Sequence, residues 1–312
     1  MKKECSIVIR AYNEEKHLGR LLSGIRQQTI KDIQIILVDS GSVDNTVKIA
    51  EGSGAQIVTI KPQEFTFGRS LNLGIEAAKS NFIVMASAHV FPVYPDWLER
   101  ILEPFSDESV AVVYGKQSGS ESSHFSEKQI FANWYGNVST KAQTHPFCNN
   151  ANSAIRRKLW EKHLYDENLP GLEDLEWAQW AMDQKFKIAY SAEAEIIHVH
   201  EESWNGIHNR YMREGMAFKQ IYPHEQFHLS DMFKLFFQNT LNDIGVAKKQ
   251  GAIRREILNI IRFRWLQFLG TYQGYKRSGE LTWQLKQSFY YPKNHHEKQR
   301  AYSRAVDPIK YE

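Results

Sequence analysis

"SIVIRAYNEEKHLGRLLSGIRQQTIKDIQIILVDSGSVDNT", residues Ser6 to Thr46, changes its hydrophobic period twice. With Cys5 in front, "CSIVIR" is a short β-rich run. "EKHLGRLLSGIRQQ" then sets Leu18, Leu21, Leu22 and Ile25 at helical spacing, and "IQIILV" is a second apolar run closed by the polar turn "DSGSVDNT". Near-continuous apolar strands separated by helices predict a mainly parallel sheet covered on both faces. The alternation continues with a short helix through Val47 and Ala50, the strand "AQIVTI", the helix "GRSLNLGIEAAK" and the strand "NFIVMA".

From about Val110 the pattern is mixed. "VAVVYG" and "CNNANSAIRR" read as strands bounding a loop with a helix near Lys128 to Tyr135. "LEDLEWAQWAMDQ" reads as a helix and "KIAYSAEAEIIHVH" as two strands. Beyond Trp204 the spacing is helical throughout, with breaks near Tyr222-Pro223, Gly251 and Gly279. The expected organisation is an α/β sheet domain over 1–203 and a helical C-terminal extension over 204–312.

A net charge of +3 over 312 residues gives no basic excess for nucleic acid, and none is expected as a partner. Cys5 and Cys148 form no CxxC pair, so neither a zinc-thiolate site nor a disulfide framework is indicated. The N-terminal apolar run has strand length only, and no segment approaches the ~20 apolar residues of a membrane span. The expectation is a cytoplasmic protein.

On a sheet of this kind ligands sit beyond the carboxyl ends of the strands. Those ends are Arg10-Ala11-Tyr12-Asn13-Glu14, Asp39-Ser40-Gly41-Ser42 and Ser87-Ala88-His89, three polar clusters that fit one pocket. The dinucleotide fingerprint G-x-G-x-x-G is missing from "RAYNEE", and the P-loop pattern is absent from the chain. Two classes remain: an enzyme using a nucleotide-activated donor, and a nucleotide-sugar-binding module without catalysis.

The opening stretch resembles inverting family-two glycosyltransferases. The resemblance continues through "EFTFGRSLNLGIEAA", "PDWLERILEPF", "CNNANSAIRRKLWEK", "GLEDLEWAQWA" and "IIHVHEES", in order, over about two-thirds of the chain. The "FGRSLNLG" block and the arginine after the first strand most resemble bacterial rhamnosyltransferases of surface-polysaccharide synthesis. The resemblance implies the GT-A fold, a Rossmann-like sheet flanked by helices. It also implies transfer of a sugar, L-rhamnose from dTDP-rhamnose or a UDP-sugar, to a hydroxyl of a glycan or lipid-linked glycan.

It further assigns the general base to Asp174 and a supporting role to Glu173. On residue chemistry alone, two acids in a first helical turn answer the helix dipole. Asp39 fits the imide N–H of uracil or thymine, or the cap of its own turn. Tyr12 fits the nucleoside, and Glu14 the donor site or the cap of the first helix. Arg69, at a helix start, fits phosphate or solvent equally. Asn149, Asn150 and Asn152 are unusual beside a strand and fit sugar hydroxyls of the acceptor. His198 and His200, two apart on a strand, share a face; with Arg10 and Arg213 they complete the expected donor site.

The family's Asp-x-Asp, which holds Mg²⁺ or Mn²⁺ on the diphosphate, aligns with Ser87-Ala88-His89. A hydroxyl and an imidazole are poor partners for a hard cation. The metal is therefore expected to be weakly bound or dispensable, with His89 and His198 the ligands if one is held. In the helical tail, Phe233, Phe236, Phe237, Leu241 and Ile244 form one stripe. Leu258, Ile261, Trp265, Phe268, Leu269 and Tyr272 form another. Both are expected to pack as core. The interleaved Lys248, Lys249, Arg254, Arg255, Arg262, Arg264, Lys276 and Arg277 suit peripheral contact with an anionic membrane.

Overall fold

A computed structural model describes residues 4–276, 304 and 306–311. The strands are β1 (Cys5–Ala11), β2 (Ile33–Asp39), β3 (Gln56–Thr59), β4 (Phe82–Ser87), β5 (Val90–Pro92), β6 (Val110–Gly119), β7 (Asn152–Arg156) and β8 (Lys187–His198). The helices are α1 (Leu18–Arg26), α2 (Thr46–Gly52), α3 (Phe67–Glu76), α4 (Trp97–Leu102), α5 (Phe125–Trp134), α6 (Arg157–Trp160) and α7 (Glu173–Asp183), followed by α8 (Trp204–Ile221), α9 (Leu229–Lys249) and α10 (Ile253–Lys276). One sheet runs in the order β3-β2-β1-β4-β7-β6-β8-β5. Its first half is parallel, and β7 enters antiparallel between β4 and β6.

The central apolar strands are buried on both faces, as their composition requires, while the edge strand β3 is only partly covered. From β1, Ile7 and Ile9 pack with Leu18, Leu21 and Trp97 on one side. Val8 packs with Leu71, Ile75 and Val38 on the other. Gly74 lets α3 lie directly on β1, because a Cβ there would collide with Val8. Helices α8 to α10 cover the same second face: Phe218, Met232 and Phe268 join the core that holds Leu71 and Trp177.

Four expectations change. "KIAYSAEAEIIHVH" is a single strand, β8, because pairing with β6 resumes after a bulge, from Gly115–Ser191 to Gln117–Ile196. The tail stripes only partly form core. Phe268 is buried, but Phe233, Phe237, Leu241, Leu258, Ile261 and Trp265 are exposed. The inward faces of α9 and α10 carry Met232, Leu235, Ile260 and Phe263, and among them the polar Asn239, Asp243, Arg264 and Gln267. Arg264, read above as a surface charge, is buried and donates to both oxygens of Asp243 at 2.8 and 3.0 Å. That pairing is what makes its burial tolerable.

Nor is the end of the chain helical: Ile309 N–H donates to Val93 O at 2.9 Å. Tyr311 donates its hydroxyl to Pro92 O, and Arg304 clamps Asp96. This segment covers the outer edge of β5, which would otherwise present unpaired backbone. Of the expected breaks, those near Tyr222-Pro223 and at Gly251 separate α8, α9 and α10; Gly279 and Arg277 lie outside the described residues. Among the described residues no helix is long and apolar enough to cross a membrane.

Candidate active site

Register fixes where the polar clusters meet. Ala11 pairs with Asp39, Arg10 with Ser87, and Val90 with His198, so the ends of β1, β2, β4 and β8 stand side by side. The ends of β1, β4 and β8 open onto a cavity of about 560 Å³, bordered by α5, the start of α7 and α8, whereas Asp39 and the turn after β2 lie outside its lining. Acids and amides line one wall, and imidazoles line the other.

The acidic wall begins at Leu172, whose left-handed backbone (φ 57°) ends the Pro/Gly loop and starts α7. Glu173 and Asp174 fall in the first turn, facing the cavity. Arg10 Nη1 donates to Glu173 Oε1 at 2.8 Å, an ion pair spanning the sequence from β1 to α7. Asp174 is held by backbone: Asn150 N–H donates to Oδ2 at 3.1 Å and Leu175 N–H to Oδ1 at 2.9 Å. Burial, reinforced by the Glu173 charge, raises the Asp174 carboxyl well above the ordinary range, to about 7. A carboxylate with that affinity can take a proton from a hydroxyl near neutral pH.

On the opposite wall, His89 immediately precedes β5 and lies beside the end of β8, and its carbonyl accepts from Val199 N–H at 3.0 Å. The rings of His89 and His198 stack with centroids 5.1 Å apart, and those of His198 and His200 lie 4.0 Å apart. Each ring has an acceptor at Nδ1: Glu14 Oε1 at 2.7 Å for His89, Gln117 Oε1 at 2.8 Å for His198 and Glu127 Oε1 at 2.7 Å for His200. Burial, with His200, His89 and Arg210 nearby, lowers the His198 pKa well below its ordinary value. His198 is therefore neutral and cannot supply cationic charge itself. Burial alone would push the Glu127 carboxyl up, but His200 and Arg210 together outweigh it and hold the group at about 2.

The remaining expected residues divide. Asn149 and Asn150 line the cavity; Asn149 Oδ1 accepts from Ala151 N–H, and Asn150 Nδ2 lies 3.4 Å from Glu173 Oε1. Asn152 stands apart, its amide spent in the core on Lys116 O, Ala194 O and the Trp97 indole. Ala88 is buried, while Ser87 lines the cavity with its hydroxyl 3.1 Å from His89 Nε2. Tyr12 is exposed at the strand end, outside the cavity lining. Asp39 is buried; Oδ2 accepts from Gly41 and Ser42 N–H, and Oδ1 makes only a long 3.3 Å contact to Ser42. Arg69 pairs with Glu167 at 3.1 Å, outside the lining. Arg213 does reach the cavity, 4.6 Å from the centre of the Phe67 ring, whose surroundings also hold Arg10 at 5.0 Å. Its buried Nε has no hydrogen-bond partner among the described residues.

Glu127, Gln117 and Phe67 were missed in the sequence. Glu127 sits in a helix whose pattern marks only packing, and its partner His200 is 73 residues away. No local signal announces such a pair.

The description Glycosyl transferase family 2 matches residues 6–164. An O-antigen chain rhamnosyltransferase of Salmonella typhimurium, RfbN, is 26% identical over 230 residues, covering 68% of this chain and 71% of its own. WbaN of Salmonella anatum, also an O-antigen chain rhamnosyltransferase, is 29% identical over 231 residues with the same coverage. Among solved structures, a mannosyltransferase from Pyrobaculum calidifontis in complex with GDP-Man and Mn²⁺ is similar, with TM-score 0.60 at 14% identity, covering 86% of each chain. TarS of S. aureus in complex with UDP-GlcNAc has TM-score 0.55 at 13% identity, covering 88% of this chain and 91% of its own. The sheet and its helices are thus of the GT-A type, with a helical C-terminal region.

A hard cation such as Mn²⁺ is poorly matched by the side chains present here. Ser87 and His89 occupy the positions where carboxylates would be needed. The nearby acids are engaged: Glu14 with His89, Glu127 with His200 and Arg210, and Glu202 with Arg210. Glu127, His200 and Glu202 bring two carboxylates and one imidazole together, but both carboxylates are paired with Arg210.

Proposed function

Because the chain belongs to glycosyl transferase family 2, we propose that it is an inverting transferase. On this reading it moves a sugar, L-rhamnose from dTDP-rhamnose or a related UDP-sugar, onto a hydroxyl of a surface-polysaccharide or lipid-linked glycan. The observation that carries this reading is Asp174: a carboxylate facing a nucleotide-sugar-sized cavity, immobilised by two backbone N–H groups, with its proton affinity raised towards neutrality. In a single displacement the acceptor oxygen attacks the anomeric carbon as its O–H bond breaks, and the proton passes to Asp174. Glu173, fixed by Arg10, positions Asp174 and keeps its pKa high. Arg213, with its unmatched Nε, faces the departing diphosphate. Asp39 retains acceptor capacity on Oδ1 for a base N–H, which favours thymine or uracil over cytosine. Asn149 and Asn150 face the acceptor side.

Mg²⁺ and Mn²⁺ have no essential part on this reading, since the oxygens they need are committed elsewhere. The chain works at the inner face of the cytoplasmic membrane. The support is an exposed apolar face on α9 and α10, with Phe237 57%, Leu241 65% and Leu258 78% exposed, beside exposed Lys248, Lys249, Arg254 and Arg255. Charge and exposed apolar area together suit anionic lipid.

A screen of nucleotide-activated sugars tests the reading, with the anomeric configuration of the product read by NMR. Transfer with inversion is expected, together with thermal protection by dTDP or UDP well above that by CMP. Retention refutes the single displacement. Nucleotide binding without any turnover would identify instead a catalytically silent module, the reading that the loss of the acidic pair invites.

A further inference from the structure

The imidazole wall is built as a metal site, though not for the hard cations just considered. At Nδ1 each of the three rings meets an oxygen of Glu14, Gln117 or Glu127, at 2.7, 2.8 and 2.7 Å. A carboxylate oxygen only accepts, so Nδ1 of His89 and of His200 is the donor and Nε2 of each is left to face a ligand, while His198 Nδ1 meets the Gln117 amide. The three rings converge: one ligand nitrogen from each lies within 4.8 Å of the others, and His198 Nε2 and His200 Nε2 are 2.9 Å apart. Two ring nitrogens at that distance need either a proton or a metal ion between them.

We propose that His89, His198 and His200 form a three-imidazole site for a borderline divalent transition-metal ion of the Zn²⁺ class, with a fourth position open to the cavity. Imidazole suits Zn²⁺, Ni²⁺ and Co²⁺, whereas Mg²⁺ and Mn²⁺ favour oxygen. Zn–N bonds of about 2.0–2.1 Å set tetrahedral ligands roughly 3.3 Å apart, within small rotations of the present rings. Acceptors on Nδ1 are the usual outer support of such ligands, because they fix the tautomer and raise basicity. The support here comes from three separate elements: the end of β1 for Glu14, β6 for Gln117 and α5 for Glu127. The fourth position is framed by the Ser87 hydroxyl, 3.1 Å from His89 Nε2. Two carboxylates on a divalent ion leave no net charge, whereas three neutral imidazoles leave the full 2+ facing the cavity. An anionic oxygen, such as one from a diphosphate, is therefore the fourth ligand this set attracts. The use of the ion rests on the proposed donor site; its binding does not, and turnover is not the readout.

The full chain, freed of any affinity-tag histidines and treated with chelator, is titrated with Co²⁺ alone and then with Zn²⁺. One equivalent of Co²⁺ is expected, with the intense visible band of a four-coordinate site. Zn²⁺ should discharge that band, and an equal concentration of Mg²⁺ should leave it. His89→Gln and His200→Gln should abolish the band while the thermal transition stays cooperative. Glu14→Gln, which keeps an acceptor but removes its charge, should weaken Zn²⁺ binding by about 10-fold, the low end for an outer-support change. If the folded wild type takes up no Co²⁺ or Zn²⁺, a proton shared by His198 and His200 holds the rings together and the proposal fails. It fails equally if both histidine variants bind as the wild type does, or if Mg²⁺ displaces the ion.

Discussion

The two walls of one cavity differ in how they were built. On the acidic wall, Arg10, Glu173, Asp174 and Asn150 hold each other through an ion pair and backbone N–H groups. On the imidazole wall, the carboxylates of Glu14 and Glu127 are engaged by His89 and His200. One wall suits proton removal and the other charge stabilisation. The difference teaches that one sheet carries two chemically distinct walls on separate elements, the acidic one on β1 and α7 and the imidazole one on β8 and α5.

The largest expected effect comes from the acidic wall. Asp174→Asn is nearly isosteric but cannot take the acceptor proton, so kcat should fall ~100-fold or more while dTDP protection is kept. Turnover near the wild-type level would remove the acidic wall from the chemistry. A smaller and complementary effect is the pH profile. Asp174 is protonated below its raised pKa of about 7 and competent as a base only above it. Single-turnover rate should therefore rise with pH through neutrality and then level; a rate flat from pH 5 to 8 would contradict the burial argument.

The smallest effect on chemistry lies outside both walls. Neutralising Lys248, Lys249, Arg254 and Arg255 should release the chain from anionic vesicles at low salt, each charge contributing ~1 kcal/mol. Transfer to a water-soluble acceptor should be unchanged. Binding that ignores salt and these charges would leave the α9–α10 face without a lipid partner.

The sheet was legible because its apolar runs and helical spacings are local. The strand ends, and hence the place of the cavity, followed from them. Asp174 was legible only through the family resemblance, since an acid in a first helical turn has an ordinary electrostatic explanation. What was not legible is what depends on distant partners. Nothing near Glu127 announces His200, and nothing near Asn152 says that its amide will be consumed by Lys116, Ala194 and Trp97. The outward turn of the α9 and α10 stripes has the same origin. The buried Asp243–Arg264 pair sits on the inward face beside Met232, Leu235, Ile260 and Phe263, and a hydrophobic count cannot foresee it.

The central claim is that the imidazole wall has replaced the hard-cation site while the acidic wall keeps the transfer chemistry. The most direct test is turnover of the wild-type chain, purified without chelator, in buffer free of Mg²⁺ and Mn²⁺ and again with each added in excess. The account predicts the same inverting turnover in all three conditions. Activity that is absent until Mn²⁺ or Mg²⁺ is supplied, and that saturates with it, would contradict the account.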